Sequence, residues 1–397
     1  MEHVPHIVVG AGIAGVYLGL QLQDKNEKFV MFEKNGRSRG KQRSVDFCGG
    51  IAELGSSVVH SNQSKILGLG KRLGLTFSRL DKSEKSMILL LDYDDKSSKS
   101  AFRSVRKKVE AASLQLEETS EKTLDEVVSS VCSPLEAYIM RWGWDCWYEN
   151  ADMNAFALFQ SQKQEGDYMV CDQGLEQLLI RPDLPIEFDS AVTHIEFDLV
   201  LKKFTLRVNK DEKVVNYTCD KLYLTVDIVS LTKIGFSGFP SSFFRVMSCG
   251  QPVPSCRYYV CLDKPIPTGK ITSIVGDPDR WPFKWSLRVS PTMWLISYVD
   301  GPLVAQVHKE KDKLVARWCD YMSELFKVQL TSKNVVDVVA AWWKDSFTLL
   351  NKAYFANGYQ LKPSPRRFMG GRCICTTLPT VKDQAWMEGH LYDLSLE

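Results

Sequence analysis

"HIVVGAGIAG", residues 6–15, decides the fold of this chain. A short β-branched run, HIVVG, reads as a strand buried in a parallel sheet. The continuation IAGVYLGLQLQ carries apolar residues at helical spacing, so the stretch is a strand, a tight turn and a helix. Three glycines sit at that junction, and each has a physical job in a dinucleotide site. Gly10 permits the turn, Gly12 lets the backbone approach a pyrophosphate, and Gly15 lets helix and strand pack closely. The helix start then offers free N–H groups and a positive dipole end to phosphates. A second apolar run, KFVMFE, ends at Glu33, where a carboxylate can accept both hydroxyls of a ribose. An acid there, rather than an arginine, disfavours a 2′-phosphate. These residues leave FAD and NAD equally open.

The rest of the composition bounds the answer. With 397 residues the chain has room for two or three domains, at roughly 100 to 200 residues each. Fifty basic against 48 acidic side chains leave a net charge of +2, too balanced for a nucleic-acid or anionic-membrane surface to be the chain's main business. A small-molecule substrate is expected, with no nucleic-acid and no membrane partner; oligomeric state is not set by the sequence. Eleven cysteines lack regular spacing and no signal peptide precedes the first strand, which reads as a reducing, cytoplasmic protein. Paired C-x-x-C spacing is absent and histidines number six, so no metal is expected. Apolar runs such as MILLL, residues 87–91, are far shorter than the ~20 residues needed to span a bilayer.

The segment EKNGRSRGKQRSVDFCGGIAELGSSVVH, which begins at Glu33, resembles the flavin-dependent amine oxidase superfamily, whose acid is followed by an R-x-G-G-R element. Arg37, Gly40 and Lys41 stand at its positions, with Arg39 in place of the first glycine and Lys41 in place of arginine. The resemblance favours FAD over NAD. It continues through DQGLEQLL at 172–179 and through IEFDSAVTHIEFD, where the backbone of Val192 would meet adenine. DKLYLTVDIVSLTKIGF follows, with Asp227 replacing a usual proline. AWMEGHLYD, near the C-terminus, is similar to the family's aromatic-M-E-G-A helix start, so that the N–H of Met387 would face the flavin.

The resemblance implies an α/β fold in which an FAD-binding Rossmann-like domain, drawn from 1–78, 168–250 and 366–397, is interleaved with an α+β substrate domain drawn from 79–167 and 251–365. The lysine- and glutamate-rich insertion after residue 79 reads as solvated helices, with SEKTLDEVV as a capped start. MRWGWDCWYEN, residues 140–150, reads as packing for a small helical core.

It implies, further, hydride transfer from a C–H beside nitrogen to non-covalently bound FAD, followed by reoxidation by oxygen. Trp386 would form one aromatic wall at the flavin. AAWWKDSFTLLNKAYF resembles the stretch before the other wall and nominates Tyr354. Registering SCRYYVCLDKPIP on Pro265 puts Arg257 where the family has a lysine near flavin N5. Such a fixed cation would disfavour simple monoamines and favour amino-acid-like or neutral substrates. Leu378 falls where the family has an acid holding the ribityl chain. Lys41, Arg257 and Leu378 together motivate an alternative, a divergent protein that keeps the fold as a binding or structural module without turnover. A different flavin reaction on the same scaffold is also open.

Overall fold

The structure, a computed structural model, describes all residues except 39, 81–84, 118–119, 146, 163–165, 357–365, 380–385, 392–393 and 395–397. Three sheets organise it. The first is six-stranded and holds the opening strand at its centre, in the order Ile186–Glu187, Phe29–Phe32, His6–Val9, Lys221–Leu224, Cys373–Cys375, Arg367–Phe368. All its pairings are parallel except the last. A parallel sheet covered on both faces needs near-continuous apolar strands, and HIVV and FVMF supply them. The helix Ile13–Asp24 packs on one face through Val16, Leu18, Leu20 and Leu22.

A five-stranded sheet lies on the other side, in the order Glu2–His3, Lys213–Cys219, Lys203–Lys210, Ser190–Asp198, Gly235–Ser237. Here polar and apolar residues alternate: along Lys203–Lys210, Phe204, Leu206 and Val208 are buried while Lys203, Arg207 and Asn209 face solvent. The third sheet orders Val335–Leu350, Gly250–Leu262, Met293–Asp300, Trp285–Arg288, Ile271–Gly276 and Lys85–Leu89. Strands of the first two sheets thus come from residues 2–32, 186–237 and 367–375, and those of the third from 85–89 and 250–350. The chain moves back and forth between these regions, which explains why no single linker divides the sequence.

The charged insertion forms the helices Asp95–Leu114 and Leu124–Val131. The second starts in a capping box, with Thr123 Oγ1 accepting from Glu126 N and the Glu126 carboxylate accepting from Thr123 N. Trp144 and Trp147 are buried against this helical layer, as the aromatic cluster suggested. Among the described residues no helix is long and apolar enough to cross a membrane.

One pair of cysteines departs from the reading of unpaired thiols. Cys48, in the turn between Ser44–Phe47 and Gly50–Glu53, forms a disulfide with Cys261 at the end of Gly250–Leu262. The partners are 213 residues apart, a separation at which spacing rules carry no signal. The bond ties the first region to the third sheet, and oxidising compartments are where such bonds persist. Fully reduced thiols do not describe this chain.

Candidate functional site

A cleft of about 640 Å³ opens at the C-terminal ends of the parallel strands, where ligands of open α/β sheets bind. Its floor is the junction read from the sequence. Gly10 has φ +102°, a conformation L side chains rarely adopt, and its N–H donates to the Phe32 carbonyl at 2.8 Å. Thr225, from the neighbouring strand's end, holds the turn by donating its hydroxyl to the carbonyls of Val9 and Gly10. Gly15 lies behind the cleft rather than in it: a Cβ there would fall 2.0 Å from the Gly10 oxygen. Gly12 is the N-cap of Ile13–Asp24, with no side-chain cap and no acid in the first turn, so the helix's first N–H groups have no side-chain acceptor. Gly40 closes over Gly12; a Cβ on Gly40 would come 2.9 Å from the Gly12 Cα. That bare backbone cradle fits a pyrophosphate.

Glu33 is buried at the cleft wall. Its Oε1 accepts from the backbone and side-chain nitrogens of Asn35, and its Oε2 accepts from Ala11 N at 3.0 Å. Oε2 therefore keeps a lone pair for a ribose hydroxyl, and the carboxylate also braces the glycine turn. Val192 lines the same end. It sits at a break in strand register between Val192 and His194, which frees local backbone from the ladder. Arg37 does not join the site. Residues 34–37 run out into solvent, and its side chain is exposed and outside the cleft wall.

The far end is built by Trp386, Met387 and His390 with Thr376 and Thr377. Met387 begins the short helix Met387–His390, and Trp386 packs against His60 in a tilted arrangement with centroids 4.3 Å apart. The adjacent Glu388 faces away: its carboxylate accepts from Lys65 N and Ile66 N, capping the helix Ser64–Arg72. His390 occupies the alanine position of the M-E-G-A pattern, and burial pushes its pKa down to about 4. Its Nδ1 lies 2.8 Å from the Thr376 carbonyl, which can only accept. Nδ1 therefore carries the proton in the neutral ring, and Nε2 is the acceptor nitrogen.

Three charged side chains complete the wall. Lys41 pairs with Asp345, and Asp345 is hydrogen-bonded to Asp227. Burial and the neighbouring Asp227 raise the Asp345 carboxyl to about 6, against the pull of Lys41. Asp227 is held down to about 2 despite burial, by its bonds to Asp345 and to the N–H and hydroxyl of Ser230 and by the charge of Lys41. Two carboxyls this close cannot both ionise freely.

Three other assignments move. Arg257 is absent from the cleft wall; its Nη1 donates to the Glu53 carbonyl at 2.9 Å and its guanidinium lies 4.9 Å from the Tyr298 ring centroid. The strand carrying it breaks register at Val253/Ser255 and Tyr258/Tyr259, and counting back from Pro265 cannot see such bulges. Tyr354 is fully buried in the core, its ring 5.4 Å from Phe355, while Trp343 takes a place on the wall. Leu378 is likewise core, 1% exposed; the hydroxyls beside it, Thr376 and Thr377, are the ones at the cleft. Thr225 carries no local motif that would have announced it; Trp343 and Asp345 lie inside AAWWKDSF and His390 inside AWMEGHLYD, where the resemblance pointed to Tyr354, Trp386 and Met387 instead. Asp227 was visible as a departure from proline.

The family model for an NAD(P)-binding Rossmann-like domain matches residues 8–73. No curated protein sequence matches the chain. Solved structures match over its whole length. Wild-type putrescine oxidase bound to putrescine superposes with a TM-score of 0.72 at 11% identity, covering 98% of this chain and 96% of that one. A triple mutant of the same oxidase, redesigned in its cofactor binding, gives 0.76 at 11% identity over 98% and 96%. The chain therefore carries the fold of putrescine oxidase, with a Rossmann-like domain matched at residues 8–73.

Proposed function

We propose that the chain is an FAD-dependent oxidoreductase that oxidises a C–N bond of an amine or amino-acid-like substrate. The observation that carries this reading is the continuity of the cleft: one space runs from the glycine turn, Glu33 and Val192 to Trp386, Met387 and His390. FAD bound there would supply the hydride acceptor. The N-terminus of Ile13–Asp24 and the Gly12–Gly40 gap would hold the pyrophosphate, Glu33 Oε2 a ribose hydroxyl, the Val192 backbone the adenine, and Met387 N–H the flavin edge. Lys41, paired with Asp345, lines the same cleft. Trp386 and Trp343 give apolar walls that disfavour a charged amine and so favour its reactive neutral form. His390 Nε2 is a proton acceptor already neutral at pH 7. Among the described residues the cleft wall contains no cysteine, which supports non-covalent binding.

The substrate preference argued from Arg257 lapses with its position. The alternative, a retained fold without turnover, draws on the strand Gly250–Leu262, which carries no lysine to assist proton transfer near the flavin. A peroxide assay across monoamines, diamines and amino acids separates the two. Turnover with any of them supports the oxidase; flavin that is bound yet reduced by none of them anaerobically supports the alternative. A cytoplasmic site of action, proposed from the irregular spacing of the cysteines, is tested by whether Cys48 and Cys261 are reduced in protein isolated under thiol trapping.

A further inference from the structure

The hairpin joining Ser190–Asp198 to Lys203–Lys210 ends in three consecutive aliphatic side chains, Leu199, Val200 and Leu201, exposed by 73%, 88% and 68%. Lys202 and Lys203 follow directly and are exposed too. Single exposed aliphatics are ordinary, but three at one convex tip form a local apolar point. The tip is held in shape. Asp198 Oδ1 accepts from Val200 N and Leu201 N, both at 2.8 Å, and its carbonyl accepts from Lys202 N, with Lys202 at φ +55°. Behind it Phe197 and Phe204 are buried with rings 4.7 Å apart. Gly235–Ser237 runs parallel to the tip's strand and leads into Ser241–Met247, where Phe244 is 47% exposed and Arg245 is exposed beside it.

We propose that this tip docks the protein on a lipid surface bearing anionic headgroups. Leu199, Val200 and Leu201 enter the headgroup–acyl boundary and Lys202 faces the phosphates. Shape and charge select this occupant. A stable protein interface buries about 800 Å² per partner, far more than three side chains on a convex tip present, whereas a bilayer accepts a small wedge. The adjoining lysine is placed where lipid phosphate would meet it. Of the nearby acids, Asp198 holds the turn and Asp220 is shared between Lys203 and His3, while Glu196 is exposed on the strand behind the tip. Among the described residues no ion pair engages Lys202. A chain-wide charge near zero conceals this local arrangement, which is why the balance of basic and acidic residues argued against a membrane. The strand carrying the tip begins in the cleft wall at Ser190–Thr193, so docking would fix that wall relative to the lipid.

The test is co-sedimentation of the full chain with vesicles of phosphatidylcholine alone and of phosphatidylcholine with phosphatidylserine. Binding is expected, stronger with phosphatidylserine. The variant combining Leu199→Ser, Val200→Ser and Leu201→Ser should lose affinity on the order of tenfold or more for both. Lys202→Glu should weaken binding by roughly fivefold, only on the anionic vesicles. Unchanged melting temperatures would show both variants folded. No sedimentation of the wild type, or equal sedimentation of the triple variant, overturns the proposal. So does a concentration-dependent dimer that the triple variant abolishes without any lipid binding, which would make the tip a self-association surface.

Discussion

The two ends of the cleft were built by different rules. At the phosphate end the residues that form the motif lie within the first 33 positions, Gly10, Gly12 and Gly15 in one turn and Glu33 at the end of the adjacent strand, with Thr225 bracing them from a distant strand. At the far end the wall is assembled from Lys41, Asp227, Asp345, Trp386 and His390, which belong to four separate stretches of chain. The first end is local covalent geometry plus one parallel pairing. The second depends on how sheets and loops meet. The first can be broken by a single atom, and the second tolerates exchange of its parts, so substitutions at the two ends should behave differently.

The largest expected effect is at Gly15. A side chain there meets the Gly10 carbonyl at 2.0 Å, backbone against backbone, with nothing flexible to yield. Gly15→Val should cost more than about 4 kcal/mol and leave little folded protein. Urea denaturation monitored by circular dichroism measures this, and a Gly15→Val protein of wild-type stability would sink the account of the junction.

Tyr354 and Trp386 sharpen the contrast within the far end. Both were nominated as aromatic walls, but Tyr354 is 0% exposed in the core and Trp386 is at the cleft. Tyr354→Ala should destabilise by about 3–5 kcal/mol, the usual range for emptying a large aromatic site. Trp386→Ala should cost less stability and act mainly on flavin spectrum and turnover. The reverse ranking in the same denaturation experiment would restore Tyr354 to the cleft.

What was legible follows the same division. A strand, turn and helix with an acid at the next strand's end is a pattern over some 30 residues, and its period, glycines and acid all point one way, so the central sheet and the phosphate end could be read in advance. The capping box at Thr123 and the buried tryptophans were readable for the same reason: their partners are three or four residues off, or their neighbours are all apolar. Arg257 was misplaced because strand bulges shift which face a residue occupies, and bulges leave no mark in this sequence. The Cys48–Cys261 bond and the Asp227–Asp345 pair join residues more than 100 positions apart, where only the finished fold brings side chains together.

A smaller effect tests a contact outside the cleft, where Gly50–Glu53 meets the third sheet. Burial raises the Glu53 carboxyl to about 7, although it accepts from Leu175 N and the Ser44 hydroxyl. Between about pH 4.5 and 7 the folded protein therefore keeps a proton at Glu53 that the unfolded chain releases. This contribution to stability is complete below pH 4.5 and is lost as pH rises through 7. Glu53→Gln should remove that dependence, gaining on the order of 2 kcal/mol relative to wild type at pH 8 over its difference at pH 4. Parallel pH profiles for the two proteins would contradict it.

The central claim, that the glycine turn holds FAD, is tested most directly by the visible absorption spectrum of purified protein beside that of Gly12→Val. Gly12 has φ −78°, ψ −170°, open to any residue, and a Cβ there stands 3.7 Å from the nearest atom, Gly40 Cα. The variant should therefore fold while its side chain fills the pyrophosphate path. The account predicts a flavin spectrum in wild type, released entirely into the supernatant by acid precipitation, and none in the folded variant. Equal flavin content in the two proteins, or a wild type that takes up no FAD when it is supplied, would contradict it.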